Sequence, residues 1–283
     1  ATSMVDMATL VGLFPHLGQA RKIVYFHENQ FAYPESSEQV PQVEAKMVNL
    51  YAALAADTLV FNTAYNRDSF FTGVRQFLKK MPENLPAAAP LERLRRSAKV
   101  LPVPLQPLAQ RPDVAPPPRR IVWNHRWEYD KNPEDFFAVL FRLSEEGVPF
   151  ELAVMGQRFR DEPAIFAEAQ VRLAQHLVCW GPQPEEQYQA LLNGGGIVVS
   201  TTWHEFQGLA IMEAAQRGAW PLVPDRLCFP ELYPDAYRYD GTREGLYQRL
   251  AAWLQGTMTA PERLDTSPWE WPQWREAYRQ LLD

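Results

Sequence analysis

The stretch IVVSTTWHEFQGLAIMEAAQRGAWPLV, residues 197–223, decides the fold of this chain of 283 residues. It opens with an apolar run that is typical of a buried parallel strand. A polar loop follows, and Gly208 then begins a segment whose apolar residues recur at helical spacing. A second apolar run at residues 220–223 completes a strand–helix–strand unit, which predicts parallel strands in one sheet.

The same alternation extends over most of the chain. Further strands are predicted at residues 22–26, 58–61, 120–124, 150–155 and 177–180. Further helices are predicted at residues 38–56, 133–147 and 184–192, and a fourth after a cap at Asn62 or Thr63. This pattern predicts an α/β chain with two Rossmann-like, doubly wound parallel sheets. Ligands of such sheets bind at the carboxyl ends of the strands, so the residues that close each strand are the candidates for a functional site.

The domain boundary is predicted from proline content. Residues 101–120 hold seven prolines, which resist both helix and central strand and favour an extended connector. We expect an N-terminal domain at residues 1–104, a connector at 105–118, a C-terminal domain at 119–266 and a final helical segment at 267–283. Because Ala1 stands in what resembles the end of a strand and its loop, we expect the N-terminal domain to be incomplete.

Composition excludes several classes of protein. Hydrophobic residues make up 46% and charged residues 22% of the chain, which is typical of a globular protein and not of a disordered one. No apolar run approaches the roughly 20 residues of a membrane span, so we expect no stable membrane insertion. Cys179 and Cys228 lie beside apolar residues, and we expect both to be reduced, as in a cytoplasmic protein.

Common loop and metal motifs are missing from the sequence. It holds no G-x-G-x-x-G, no P-loop and no G-x-S-x-G elbow. The five histidines show no metal-ligand spacing with the cysteines, so no metal site is predicted.

Charge is concentrated in one stretch of an acidic chain. The chain carries a net charge of −6, yet residues 67–99 hold eight basic and three acidic residues. Such a cluster is a candidate footprint for an anion or a nucleic acid. A solvated helix surface explains the same charge run, and charge alone does not separate the two interpretations.

The loop and helix at residues 200–218 carry the first group of candidate site residues. The backbone N–H groups at the start of the helix after Gly208 form an anion site that suits a diphosphate. Glu205 and Glu213 are placed to hold hydroxyl groups of a sugar nucleotide, with Phe206 and Gln207 beside them as donor contacts. An ordinary helix position is the alternative for Glu213, although a carboxylate among apolar neighbours is costly without a partner.

The loop WNHRWEYDKNP, residues 123–133, carries a second group. Arg126 and Lys131 are two cations on one strand-to-helix loop, which suits a pyrophosphate, and Asn124 closes the strand. Glu128 and Asp130 are placed to neutralise these cations in a surface network instead, and local charge leaves both interpretations open. Gly156 follows another strand and is a weaker donor-site candidate.

The segment YFHENQFAY, residues 25–33, carries the third group. A strand runs directly into four polar residues, which is unusual packing and suitable ligand chemistry. We expect His27 in the site, with Glu28, Asn29 and Gln30 as acceptor contacts.

Arg126, Lys131, Glu205 and Glu213 together resemble the pattern of retaining glycosyltransferase family four, a group with the GT-B fold. Longer motifs are more specific. The segments YFHENQFAYP, LVFNTAYNRDSF, VWNHRWEYDKNPEDFF and HEFQGLAIMEA resemble the tRNA-queuosine mannosyltransferase family over about residues 1–280. The resemblance implies two Rossmann-like domains that face a cleft, with the helix at 267–283 crossing back to the first domain.

The resemblance also implies a reaction, in which mannose passes from GDP-mannose to queuosine in tRNA with retention of configuration and without a metal. His27 is then expected near the reaction centre, and Glu205 orients the sugar hydroxyls. Arg126 and Lys131 neutralise the departing GDP, and Glu213 holds the ribose. Residues 193–196 read NGGG where an Ala-Asp pair is common in the wider fold.

Two alternatives to this function stay open. The first is a glycosyltransferase with another nucleotide sugar and a lipid, polysaccharide or small-molecule acceptor. For a lipid, residues 67–80 are the relevant segment, because they resemble a basic amphipathic helix at a membrane surface. The second is a non-catalytic tRNA- or nucleotide-binding protein.

Overall fold

A computed structural model describes residues 1–33, 43–81, 88–109, 119–159, 162–193, 195–259 and 261–283 of the chain, which divides into two units. The first unit contains Ala1–Val103, and the main division therefore falls beside the predicted connector. Two later segments, His204–Gln207 and Glu276–Asp283, also belong to the first unit. The second unit contains Pro104–Trp203 and Gly208–Arg275. The predicted connector lies outside the described residues from residue 110 to 118, as does Gly194 of the NGGG stretch.

The first unit is built on a parallel three-stranded sheet of order β1-β2-β3. Its strands are β1 (Ile23–Phe26), β2 (Thr58–Phe61) and β3 (Lys99–Val100). Its helices are α1 (Met7–Leu13), α2 (Val43–Ala55), α3 (Ala64–Lys80) and α4 (Ala88–Ser97). The predicted first two strands and the helix after Thr63 are confirmed. The predicted helix at residues 38–56 is described only from Val43, because residues 34–42 lie outside the described part of the chain.

The apolar face of α3 packs into the core of the first unit. Phe70 is fully buried, and its ring centroid lies 4.8 Å from that of Phe26 and 5.6 Å from that of Phe61. Phe71 and Val74 are buried with it. A helix that inserts into a membrane surface must present its large apolar side chains to the lipid. Phe70 and Phe71 instead face the protein interior and no large apolar side chain of α3 is among the exposed ones, so the structure does not support a membrane-surface role for residues 67–80.

The second unit is built on a parallel six-stranded sheet of order β6-β5-β4-β7-β8-β9. The strands are β4 (Arg120–Trp123), β5 (Glu151–Val154), β6 (Leu177–Trp180), β7 (Ile197–Val199), β8 (Trp220–Pro224) and β9 (Arg238–Tyr239). The helices are α5 (Pro133–Glu145), α6 (Ile165–Arg172), α7 (Glu185–Asn193), α8 (Leu209–Gln216), α9 (Phe229–Leu232) and α10 (Arg243–Gln255). The chain reverses its direction of strand addition between β4 and β7, which is where doubly wound sheets bind ligands.

Two tryptophans fix the ends of the loop that follows β4. Trp123 and Trp127 are fully buried, and the Trp127 ring stacks on Phe166 with centroids 4.1 Å apart. The Trp127 indole N–H donates to the Met155 carbonyl at 3.0 Å, which ties this loop to the end of β5. The residues between the two tryptophans are therefore held in place by a buried side chain at each end.

The C-terminal helix α11 spans Trp271–Leu282, and its residues from Glu276 onward belong to the first unit. Within that unit the Tyr278 hydroxyl donates to the Pro102 carbonyl at 3.0 Å and lies 3.4 Å from the Tyr25 hydroxyl. Among the described helices, α11 included, none has the length and apolar content that crossing a membrane requires.

Phe70→Ala tests the account of this core. Because the ring is fully buried among four other phenylalanines, we expect a loss of about 3–5 kcal/mol in the free energy of unfolding. Gln76→Ala, on the exposed side of the same helix, should stay within about 0.5 kcal/mol of the wild type. Denaturant unfolding checks both variants, and similar small losses for the two would show that α3 does not face the core as described.

Candidate functional site

The end of β1 turns its polar residues in two directions. His27 has an exposed side chain and Glu28 a half-buried one, whereas Asn29 and Gln30 are buried. The His27 ring lies 4.5 Å from the Tyr25 ring between centroids, and its backbone carbonyl accepts a bond from the Asn62 amide at 2.8 Å. Desolvation lowers the pKa of His27 below its ordinary value, and Glu28 opposes this shift. The imidazole is therefore mainly neutral at pH 7.

A network of three asparagine side chains lies beneath His27. The Asn29 amide donates to the Asn66 side-chain oxygen at 2.8 Å, and the Asn66 amide donates to the Phe26 carbonyl and to the Asn62 oxygen at 2.9 and 2.8 Å. The Asn29 oxygen accepts the backbone N–H groups of Phe31 and Ala32, each at 3.1 Å. Asn29 therefore holds the loop from within the protein, and its predicted acceptor contact stays a prediction.

Gln30 is also drawn into the interior, and its backbone N–H donates to the Asn49 side-chain oxygen at 2.9 Å. Of the four predicted residues at this strand end, His27 and Glu28 are thus the two whose side chains reach the surface.

The segment His204–Gln207 is anchored to the rest of the first unit by its last two residues. The Phe206 carbonyl accepts the Thr63 hydroxyl at 2.8 Å, and the Gln207 side chain bonds both the N–H and the carbonyl of Val103, at 2.9 and 2.8 Å. Phe206 and Gln207 are buried and anchor this segment, and their predicted donor contact stays a prediction. Glu205 is half-buried, and one of its carboxylate oxygens accepts the N–H of Phe206 at 3.0 Å.

In the second unit, Asn124 joins the end of β4 to the start of α8. Its buried amide donates to the Ala210 carbonyl at 2.7 Å and to the Tyr188 hydroxyl at 3.2 Å. Gly208 stands at the N-cap of α8 with a φ of 75°, a left-handed backbone that favours glycine. The start of α8 therefore holds the two candidate residues Asn124 and Gly208 close together.

Arg126 and Lys131 differ in their surroundings. The Arg126 guanidinium is half exposed and lies 2.9 Å from the Glu128 carboxylate. The Lys131 ammonium is buried and lies 3.1 Å from the Asp130 carboxylate, which is also buried. The predicted alternative, in which neighbouring acids neutralise both cations, is thus present in this structure. Arg126 keeps an accessible charge, whereas Lys131 belongs to a buried ion pair.

Hydrogen bonds lock the Lys131 loop to the loop after β7. The Thr201 hydroxyl donates to the Lys131 carbonyl at 2.9 Å, and the Thr202 hydroxyl donates to the Asp130 carbonyl at 3.0 Å. The Arg226 guanidinium in turn donates to the Thr201 carbonyl at 2.8 Å. These three supporting residues were not predicted from the sequence. Their signal is position, because each lies within a few residues of a strand's carboxyl end.

Glu213 lies on the exposed side of α8, whereas its neighbours Met212 and Ala214 are buried. The expected cost of burying a carboxylate therefore does not arise. Enough protein surrounds the carboxyl group that desolvation raises its pKa above the ordinary glutamate value, while Arg217 opposes the shift.

Gly156 is required by a close approach of two loops. A Cβ atom at this position would lie 1.9 Å from the His125 carbonyl oxygen, and the φ of 108° disfavours other residues. The glycine therefore permits the loops after β4 and β5 to pack together, beside the Asn124–Arg126 turn.

The predicted residues thus form two groups. His27–Gln30 and Glu205–Gln207 belong to the first unit, and the other six belong to the second: Asn124, Arg126, Lys131, Gly156, Gly208 and Glu213. The described ranges contain no cluster of three or more histidine, cysteine or carboxylate residues that could hold a metal ion.

Comparison with known proteins gives a family match and a fold match. A family model described as tRNA-queuosine alpha-mannosyltransferase N-terminal matches residues 1–105. A protein of Drosophila melanogaster named tRNA-queuosine alpha-mannosyltransferase is 34% identical over 261 residues, which cover 88% of this chain and 69% of that protein.

Among solved structures, an alpha,alpha-trehalose-phosphate synthase (UDP-forming) from Burkholderia xenovorans matches with a TM-score of 0.65 and 14% identity, over 98% of this chain and 71% of that one. The pneumococcal O-GlcNAc transferase GtfA, in complex with UDP and GlcNAc, matches with a TM-score of 0.66 and 14% identity, over 95% of this chain. The chain spans about half the length of GtfA, 53%. These likenesses confirm the predicted GT-B fold class.

Lys131→Ala tests the buried ion pair. Removal of the ammonium leaves the Asp130 carboxylate buried without its lysine, so we expect a loss of about 3–5 kcal/mol in the free energy of unfolding. Asp130→Asn combined with Lys131→Met should recover most of that loss, because no buried charge remains. Arg126→Ala is the matched control and should change stability by about 0.5 kcal/mol or less. Equal effects of the two single variants would contradict the distinction between the cations.

Proposed function

The chain belongs to the tRNA-queuosine alpha-mannosyltransferase family, and on that premise we propose that it transfers mannose from GDP-mannose to queuosine in tRNA, with retention of configuration at the sugar. The observation that carries the proposal is the match of 34% identity across most of the chain. The strand-end groups described above supply the chemistry that such a transfer needs.

The main electrostatic task is to stabilise the departing diphosphate. Negative charge develops on the leaving oxygen as the glycosidic bond breaks, and positioned cations and N–H dipoles lower the energy of that state. Arg126 offers an accessible guanidinium, and the start of α8 at Gly208 offers backbone N–H groups. For Lys131 to contribute, its charge must act from the buried pair with Asp130. We expect this positive charge to make a bound metal unnecessary.

The acceptor side is assigned to the first unit. A neutral His27 can both donate and accept a hydrogen bond, which suits a hydroxyl group of the sugar or the acceptor. Glu205 is held by anchored neighbours, and we expect its carboxylate to orient the sugar hydroxyls. Asn29 and Asn66 position this edge from below and need not touch the substrate.

The transfer assay uses radiolabelled GDP-mannose with tRNA from cells that contain queuosine and from cells that lack it. We expect label in queuosine-containing tRNA alone. Parallel reactions with labelled GDP-glucose and UDP-glucose test donor choice, and each should give much less product. Donor binding without label in either tRNA would contradict the proposed acceptor, whereas preferred transfer from UDP-glucose would contradict the proposed donor.

Glu213→Ala tests the donor side. The carboxylate is proposed to accept hydrogen bonds from the ribose, so its loss should weaken GDP-mannose binding about tenfold or more, which calorimetry measures. Because Glu213 is exposed, the free energy of unfolding should change by about 0.5 kcal/mol or less. Glu186→Ala, an exposed acid on α7, is the matched control and should leave donor affinity unchanged. A large stability loss with unchanged affinity would make Glu213 structural.

The pH dependence of donor binding follows from the same residue. A raised pKa means that Glu213 takes up its proton at a higher pH than an ordinary glutamate does. The neutral form accepts weaker hydrogen bonds, so affinity should fall as the pH is lowered through this raised pKa. The fall should be absent in Glu213→Gln. An unchanged pH profile in that variant would assign the titration to another group.

A further inference from the structure

A set of cations on α3, α4 and the start of β3 has no part in the donor or acceptor groups described above. We call it the basic surface, and its members are Arg67, Arg75, Lys79, Lys80, Arg93, Arg95, Arg96 and Lys99. The described acids in the same stretch are Asp68 and Glu92. Since the whole chain carries a net charge of −6, this positive region stands against an acidic background.

Much of this charge is not neutralised locally. Arg67 pairs with Asp68 at 2.8 Å, and Arg95 and Arg96 share the Glu92 carboxylate at 3.2 and 3.3 Å. The others are exposed and form no ion pair with any residue in the described ranges: Arg75, Lys79, Lys80, Arg93 and Lys99. A polyanion can contact exposed cations without acidic partners at low cost, because no ion pair has to be broken first.

The two helices present these cations side by side. Leu91 and Leu94 of α4 belong to the same buried cluster as Phe70 and Phe71 of α3. Arg95, near the end of α4, lies within electrostatic reach of the Arg67–Asp68 pair near the start of α3. At about 1.5 Å per residue, the exposed side of α3 from Arg67 to Lys79 is about 18 Å long. That length suits several phosphates of one RNA strand.

The basic surface begins at the acceptor edge of the first unit. Thr63 caps α3 by accepting the Asn66 N–H at 3.1 Å, and the same hydroxyl donates to the Phe206 carbonyl at 2.8 Å. Asn66, in the first turn of α3, bonds Asn29 beneath His27. A polyanion that lies along α3 and α4 is thus continuous, within one compact unit, with the residues assigned to the acceptor.

We propose that the basic surface binds the sugar-phosphate backbone of the tRNA acceptor and so determines how the modified nucleoside approaches His27. This inference rests on the proposed function and adds the place where the RNA is held. An anionic membrane would match the charge as well. It is not favoured, because Phe70, Phe71 and Val74 are buried in the core and no large apolar side chain of α3 is among the exposed ones.

The test is a triple variant, Arg75→Gln with Lys79→Gln and Arg93→Gln. An unmodified tRNA transcript serves as the probe, and its dissociation constant is measured by fluorescence anisotropy over a range of salt concentrations. Loss of three phosphate contacts should weaken binding about tenfold to a hundredfold and lower the slope of log Kd against log salt by about 2. The KM for queuosine-containing tRNA should rise, whereas calorimetric GDP-mannose affinity should not change.

The matched control removes three exposed cations elsewhere, with Arg21→Gln, Arg119→Gln and Arg275→Gln. It changes net charge equally, so equal weakening by the two triple variants would overturn the proposal and leave the transfer function intact. Binding to phosphatidylserine vesicles that depends on Arg75, Lys79 and Arg93, with tRNA affinity unchanged, would overturn it in favour of a membrane. If the wild type neither binds nor labels tRNA, the proposed function itself fails.

Discussion

The hydrogen bond between the side chains of Asn29 and Asn66 supports the whole polar edge of the first unit. The two carboxamides lie 2.8 Å apart and are fully buried. If one is removed, the other loses its hydrogen-bond partner at a position that water does not reach at low cost. Through Asn66 the bond reaches the Phe26 carbonyl at the end of β1, and through Asn29 it fixes the turn that presents His27. The candidate reacting residue His27 is thus held in place by the buried side chains of Asn29 and Asn66.

In the second unit, the loops at the strand ends are held in place by hydrogen bonds from side chains to backbone carbonyls. Parallel strands end at one edge and leave loops whose polar groups need partners. Thr201 and Thr202 bond the carbonyls of the Lys131 loop, and Arg226 bonds the carbonyl of Thr201. Rigid loops of this kind hold charges in place before a ligand arrives, which is the condition for effective electrostatic catalysis.

Sequence pattern predicted the strands well because buried parallel strands are short, apolar and regularly spaced. It found the polar strand ends for the same reason, since Asn29, Lys131 and Gln207 all follow such runs. It did not separate residues that face a ligand from those that face the interior, because one-dimensional spacing in a loop carries no direction. Gly156 shows the limit, because its need for glycine comes from a carbonyl 31 positions earlier in the chain, that of His125.

The most direct measurement compares His27→Ala with Asn29→Ala in both transfer rate to queuosine-containing tRNA and free energy of unfolding. The account predicts that His27→Ala keeps the stability of the wild type within about 0.5 kcal/mol and loses more than tenfold in kcat. Asn29→Ala should lose about 1–3 kcal/mol or more in stability, because it leaves buried partners unsatisfied. A stable, inactive Asn29→Ala beside an unstable, active His27→Ala would contradict the division between supporting and reacting residues.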